Sequence, residues 1–356
     1  QKERRNRERQ RHLLSHPEGR NDYDGPGNNK EQNRRRAQGE NVQQVGALYQ
    51  GYGTHYADLW CGTPPQRQTV IVDTGSSVTA FPSSGCTGCG VPDYHIDQLF
   101  SEAESDTFEK LACDECLKGH CSSSGSNEDE CKISMSYQEG SSWSAYEGMD
   151  ECYVGGLHEQ AVYYDEDTAV PAFDDVNPGT AAAFRFPLKF GCQTHLTGLF
   201  KTQLADGIMG MDDAAASFWR QMFVAHKISV QQFSLCFSRQ PTPDRKGTES
   251  GAMTMGGYDA RLHDKSDLVY TVTDHSSSGF YSVHVRKMYL RAGGGGDSAS
   301  STDDSLEIIP LDVSETDLNH GQVIVDSGTT DTYFTRRIAS EFNKAYEKLT
   351  GKAYSH

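Results

Sequence analysis

The 356-residue chain is expected to fold as an all-β protein of two related lobes with a few short helices. Three observations carry this expectation. From Ala47 onward, short apolar runs are broken at strand-length intervals by Gly, Pro, Ser and Asp, the texture of many short strands. The length exceeds the comfortable size of one hydrophobic core, so two packed units are expected. Finally, Val70–Phe81 aligns without a gap on Val323–Phe334, matching at 7 of 12 positions across a separation of 253 residues. A spacing that long is no solenoid repeat; it implies two lobes that each present one copy.

Composition removes several functional classes. A mean hydropathy of -0.66, with no run of about 18 apolar residues, leaves no room for a polytopic membrane protein. The formal net charge is -17 overall, but residues 1–45 hold 11 basic and 7 acidic side chains, which leaves the remainder at -21. An acidic body is a poor partner for phosphate backbones, so nucleic acid is not expected as a ligand. Residues 1–45, with Arg34-Arg35-Arg36 and almost no aliphatics, are expected to be a disordered basic tail or a pro-segment whose cations neutralise an acidic cleft. The chain opens on Gln, and no basic stub, apolar core and cleavage site follow in order, so any signal peptide is expected to have been removed or left out.

Along the chain, Tyr281, Val283 and Val285 alternate with Ser282, His284 and Arg286, which predicts a half-buried strand. Helices are expected at Ala214–Ala225 and Arg337–Lys348; in the second, Ile338, Phe342 and Tyr346 recur at helical spacing. The biased stretches Ser122–Glu130, Gln240–Gly251 and Ala292–Ser305 are expected to be solvated insertions.

Each copy of the repeat is a β-run that delivers an Asp into a Gly-containing turn flanked by hydroxyls: Asp73-Thr74-Gly75-Ser76 and Asp326-Ser327-Gly328-Thr329. Gly75 and Gly328 permit close backbone approach, and the hydroxyls can bond across a lobe junction or to the carboxylates. Either turn alone is an ordinary strand ending. Two with matching flanks predict a carboxylate pair, because two acids at contact distance share one proton and can activate a water with no metal, no cofactor and no covalent intermediate.

With these residues in view, the chain resembles the pepsin family of aspartic proteases. Tyr56-Ala-Asp-Leu-Trp-Cys-Gly-Thr-Pro-Pro-Gln66 is similar to the family's strand and turn before its first catalytic Asp. Asp206-Gly-Ile-Met-Gly-Met211 is similar to the segment that closes the loop around that Asp, and Gly256-Gly257-Tyr258-Asp259 to the opening of the second lobe. The resemblance implies a bilobal pepsin-like fold, hydrolysis of polypeptide substrates in a cleft between lobes, Asp73 and Asp326 as catalytic residues, and a monomer. It divides the chain into an N-terminal lobe at 46–245 and a partial C-terminal lobe at 246–356. Because the chain ends 30 residues after Asp326, the second lobe is expected to be truncated, with a membrane anchor possible beyond it and the fragment itself an inactive product in one alternative. A binding-only homologue on the same fold is another alternative.

Tyr137, Glu139, Gly140 and Ser141 fall where the family places its β-hairpin flap over the substrate. The stretches Phe81-Pro-Ser-Ser-Gly-Cys-Thr-Gly-Cys-Gly90, Tyr137-Gln-Glu-Gly-Ser141 and Gly191-Cys-Gln-Thr-His195 are similar to the endoplasmic-reticulum export proteases of the plasmepsin V type. In those enzymes the flap Glu receives the Arg of an Arg-x-Leu motif; carried over, Glu139 is the Arg acceptor, and its alternative is a solvated hairpin charge. Phe81 occupies the place of a Trp in many relatives, so the flap Tyr is expected to lose an indole hydrogen bond, and Gln138 replaces a Cys of the nearest relatives.

Ten cysteines favour disulfides and the secretory pathway, either the endoplasmic reticulum or outside the cell. The spacing of Cys86-x-x-Cys89 and Cys113-x-x-Cys116 also suits a zinc ribbon, an alternative set aside because an oxidising compartment consumes free thiols and Cys121, Cys131 and Cys152 crowd the same region. The resemblance agrees, implying a disulfide-rich insertion between the first Asp and the flap, and Cys236 is expected to lack its usual partner.

Overall fold

The computed structural model describes residues 43–91, 93–123, 129–155, 182–238, 249–259, 270–271, 279–291 and 307–355. All but the end of the basic 1–45 segment, the whole of Ala292–Ser305 and most of Gln240–Gly251 therefore lie outside the described residues.

Strands dominate, as expected. They are β1 (Gln44–Gln50), β2 (His55–Cys61), β3 (Gln66–Asp73), β4 (Ala80–Pro82), β5 (Glu109–Lys110), β6 (His120–Ser123), β7 (Asp129–Ser136), β8 (Ser142–Val154), β9 (Phe186–Leu196), β10 (Gly207–Gly210), β11 (Phe233–Phe237), β12 (Glu249–Met255), β13 (Tyr289–Arg291) and β14 (Ile308–Pro310). The first twelve form one sheet, ordered β11-β12-β1-β2-β3-β10-β4-β9-β8-β7-β6 with β5 paired to β8. It continues past the lobe boundary expected at residue 246: β12 pairs antiparallel with β1 along Gln44↔Met255 to Tyr49↔Glu249. Gln44 and Val45, expected in the tail, are strand residues for the same reason.

The core under this sheet is built from alternating apolar residues of β2, β3, β8 and β9, with Leu59, Val70, Val72, Phe190 and Cys192 among those buried. Phe81, Phe100 and Phe190 pack ring on ring at 4.6–5.7 Å, each contributing about 1.5–3 kcal/mol through burial.

Among the described residues the α-helices are α1 (Leu199–Thr202), α2 (Phe218–Val224), α3 (Glu315–Leu318) and α4 (Arg336–Thr350). Helix α2 starts later than the composition predicts because Asp212 captures the Ala214 N–H at 3.0 Å and Ser217 bonds back to the Ala214 carbonyl, holding 214–217 as a turn. Helix α4 forms where expected and ends at Gly351 in the left-handed conformation (φ 69°).

Beyond β12 the described elements are sparse. β13 and β14 pair with each other, and a small cluster of Ile309, Leu311, Leu318, Ile338 and Ala345 joins them to α3 and α4. The strand expected at Tyr281–Arg286 is reduced to one bridge, Ser282↔Ile324, framed by Val283 N–H to Val323 O and Val325 N–H to Tyr281 O, both 2.9 Å. Ile324 and Val325 are 36% and 57% exposed, whereas Ile71 and Val72 of the first copy are 8% and 1%.

Candidate active site

Strand β3 buries its last six residues and releases Asp73 at its end. Strand β10 runs parallel beside it, with Gly210 opposite Asp73. The turn after Asp73 is then held from below: Met211 N–H donates to Asp73 O at 2.8 Å and Asp212 N–H to Ser76 O at 3.0 Å. This accounts for the Asp206-Gly-Ile-Met-Gly motif, since a Cβ on Gly207 would lie 2.2 Å from Ala80 O and one on Gly210 would lie 2.2 Å from Ser77 C.

The two repeat copies meet through reciprocal bonds. The Thr74 hydroxyl accepts the Ser327 N–H at 2.9 Å and donates to Val325 O at 3.0 Å. The Ser327 hydroxyl accepts the Thr74 N–H at 3.1 Å and donates to Val72 O at 2.6 Å. Around each acid the pattern repeats. Asp73 Oδ1 accepts the Gly75 N–H at 2.9 Å and Oδ2 the Ser76 hydroxyl; Asp326 Oδ1 accepts the Gly328 N–H at 2.8 Å and Oδ2 the Thr329 hydroxyl at 2.6 Å. Each glycine faces the opposite carboxylate, so that a Cβ on Gly75 would lie 2.6 Å from Asp326 Oδ2 and one on Gly328 2.2 Å from Asp73 Oδ1.

Asp73 is buried, and its pKa is raised to about 7, first by burial and then by the charge of Asp326, with which it shares a hydrogen bond.

Tyr137 lies in the turn joining β7 to β8, where its N–H bonds Ser141 O at 2.9 Å and Gly140 N–H bonds Tyr137 O at 3.0 Å. Gly140 takes φ 96°, which a residue with a side chain adopts only under strain. The Tyr137 ring packs on Phe200 at 4.9 Å. Burial, and next the charge of Asp73, push its phenol well above the ordinary value, which keeps it a neutral donor. The loss of an indole partner expected from Phe81 does not occur: Trp143 Nε1 donates to the Tyr137 hydroxyl at 3.1 Å. Trp143 reaches that position because β8 returns antiparallel to β7, placing it opposite Met135 near the turn. Phe81 serves the aromatic core instead.

Glu139 and Gly140 are exposed at the hairpin tip, as is Gln138. Ser141 differs from the expected substrate-facing role: it is 2% exposed, and its Oγ accepts the Leu199 N–H at 2.9 Å, tying the hairpin base to α1. A turn that closes on the Ser141 carbonyl leaves its side chain pointing into the lobe.

Eight of the ten cysteines pair as Cys61–Cys152, Cys86–Cys89, Cys113–Cys121 and Cys116–Cys131. This pairing replaces the zinc-ribbon alternative, because Cys86 and Cys89 consume each other while Cys113 and Cys116 find partners on β6 and β7. Asp129 beside one pair and Glu147 beside another are the nearest additional donors, and with the thiols oxidised neither set suits a metal. Cys192 is a buried free thiol and Cys236 an exposed one.

Two paired Asp-Gly turns locked by reciprocal hydroxyl bonds beneath a Tyr-bearing hairpin are the hallmark of one class of fold, and the chain belongs to the pepsin-like aspartic proteases. Residues 55–257 match the family described as xylanase inhibitor N-terminal, and residues 186–354 match eukaryotic aspartyl protease. Among individual proteins, aspartic protease 5 of Toxoplasma gondii is 30% identical over 59% of this chain and 20% of its own length. Plasmepsin V of Plasmodium falciparum (isolate 3D7) is 26% identical over 58% of this chain and 30% of its own. Aspartic proteinase nepenthesin-1 of Nepenthes gracilis is 25% identical over 85% of this chain and 56% of its own. The chain thus spans between a fifth and just over half of the length of these relatives.

Proposed function

We propose that the protein is an aspartic endopeptidase that hydrolyses polypeptide substrates between Asp73 and Asp326. The observation that carries this reading is the mutual packing of Gly75 on Asp326 and Gly328 on Asp73, which turns each glycine toward the opposite carboxylate. The ionised member removes a proton from a water as its oxygen attacks the scissile carbonyl carbon, and the protonated member donates to the carbonyl oxygen. The tetrahedral species then collapses: its C–N bond breaks, the leaving nitrogen takes a proton, and the pair returns to one proton. Thr74, Ser327, Ser76 and Thr329 hold the carboxylates in this geometry, while Tyr137 covers the site and excludes water.

The finer reading follows the plasmepsin V-like resemblance. Glu139 stands exposed at the hairpin tip with its carboxylate free to take a guanidinium, which supports cleavage after an Arg-x-Leu motif. Four disulfides support a secretory-pathway setting. A two-lobed organisation, with the lobes meeting at the paired turns, fits the repeat.

The test is peptide hydrolysis by the purified full-length protein. Activity on Arg-x-Leu peptides should vanish in Asp73→Ala and Asp326→Ala, and Glu139→Ala should lose the preference for Arg while still cutting. Equal cleavage of Ala-x-Leu by the parent would remove the Arg-acceptor role, and undiminished activity in either Asp variant would remove the mechanism. The match of residues 55–257 to a family named for an inhibitor favours one second reading, a binding-only homologue. A parent that binds peptides tightly without turnover would select it.

A further inference from the structure

The disulfide-closed insertion reaches under the catalytic turn through one lysine. Lys118 Nζ donates to Ser77 Oγ at 2.7 Å, and Ser77 Oγ donates to Asp212 Oδ2 at 2.6 Å. Ser77 and Asp212 are each 3% exposed. Asp212 in turn holds the turn itself, since its N–H bonds Ser76 O and its neighbour Met211 bonds Asp73 O, while the Ser76 hydroxyl bonds Asp73 Oδ2. An ammonium on the insertion is thereby connected to the catalytic carboxylate by polar contacts joined through Asp212 and Ser76 themselves.

The lysine is aimed by its own loop. Glu147, fully buried on β8, accepts the N–H groups of Leu117, Lys118 and Gly119 at 2.7, 3.0 and 2.7 Å. A Cβ on Gly119 would lie 2.5 Å from Lys132 O, so the loop presses directly on β7. The disulfides Cys113–Cys121 and Cys116–Cys131 close the segment on both sides. Three amide donors on one carboxylate fix the backbone at 117–119, so the direction in which the Lys118 side chain leaves it is fixed too.

We propose that Lys118 is a positioning residue for Asp73, supplied by the cysteine-rich insertion, which orients the Ser77 hydroxyl and compensates the buried carboxylate of Asp212. This rests on the reading of Asp73 and Asp326 as the catalytic pair. A hydroxyl held between a cation and a carboxylate has one orientation, and a buried carboxylate without compensation either takes a proton or pulls its loop toward water. Either change moves the 73–77 turn, and small displacements of a catalytic group cost far more in turnover than in binding.

The experiment uses full-length protein with Lys118→Met, Lys118→Arg and the double variant Lys118→Met/Asp212→Asn. Lys118→Met should lower kcat about 10-fold or more with KM within about 2-fold. Lys118→Arg should recover most of that loss, and so should the double variant, which removes the charge that the lysine answers. A kcat in Lys118→Met equal to the parent's overturns the proposal, as does a loss carried by KM, the mark of a substrate-facing cation, or a double variant no better than the single one. Amide hydrogen exchange at residues 74–77 reads the same effect without turnover: Lys118→Met should exchange about 10-fold faster at an unchanged unfolding midpoint. Unchanged exchange overturns the proposal even if the parent cleaves no peptide, a result that would instead refute the protease reading.

Discussion

Trp143 donates its indole N–H to the hydroxyl of Tyr137 at 3.1 Å, so the Tyr137 side chain is braced from within its own hairpin. Trp143 is 1% exposed and cannot move aside, which fixes the phenol in place. Trp143→Phe keeps most of the ring and removes the donor. We expect kcat/KM to fall about 10-fold, the value of a hydrogen bond of about 1.4 kcal/mol. Tyr137→Phe should cost a similar factor, and the double variant no more than either single one, because both remove the same contact. Additive losses in steady-state kinetics would show that the two side chains act separately.

The mutual packing of the Asp-Gly turns admits no extra methyl. In Gly328→Ala the new Cβ would meet Asp73 Oδ1 at 2.2 Å, and in Gly75→Ala it would meet Asp326 Oδ2 at 2.6 Å. The clash is with a fixed carboxylate in each case, so the turns must separate. Peptide hydrolysis should fall below detection in both variants, while the circular dichroism of the large sheet remains, because neither glycine lies in that sheet's core.

These two relationships differ in how far they can be read before the fold is known. The Asp-Gly turns are legible because every group they need, the apolar run, the acid, the glycine and the hydroxyls, lies within a few residues and occurs twice. The Tyr137 hairpin occurs once and is legible only through the family resemblance carried by Tyr137-Gln-Glu-Gly-Ser141. Trp143 is not, because its role depends on which residue β8 sets beside the turn, and the family-based expectation looked to Phe81 instead. The Lys118–Ser77–Asp212 series joins three segments far apart in the chain and leaves no local signature. The pairing of β12 with β1 is illegible on similar grounds, because nothing local in Ala252-Met253-Thr254-Met255 names its neighbour. Disulfide pairing follows the same logic, since spacing offers candidates and only the fold selects among them.

Breaking one such pair tests the insertion. Cys116–Cys131 closes a segment of sequence separation 15 around the Glu147 clamp. Loop-closure entropy assigns such a crosslink about 3 kcal/mol. Cys116→Ser/Cys131→Ser should therefore unfold at lower denaturant with little change in the slope, as read by a urea titration followed by intrinsic fluorescence. An unchanged midpoint would mean that the amide clamp alone orders the segment.

Buried acids set the direction of pH dependence. Burial lifts Asp58 from 3.8 to about 6, against a lowering by Arg67, and lifts Asp97 to about 7 with help from Asp206; Asp73 is raised likewise to about 7. In each case the folded state holds its proton more tightly than the unfolded chain. The stability contributed is complete below about pH 4 and is lost as pH rises through 6 to 7. His55 and His95, lowered by burial, act in the opposite sense, adding stability as pH rises through their unfolded value. Asp58→Asn separates one acid from this background: it removes the carboxylate that burial disfavours and keeps an oxygen to accept from Tyr49. The variant should melt a few degrees above the parent at pH 7.5 and together with it at pH 4. A variant that is less stable at pH 7.5 would mean that the attraction between Asp58 and Arg67 outweighs the cost of burying the charge.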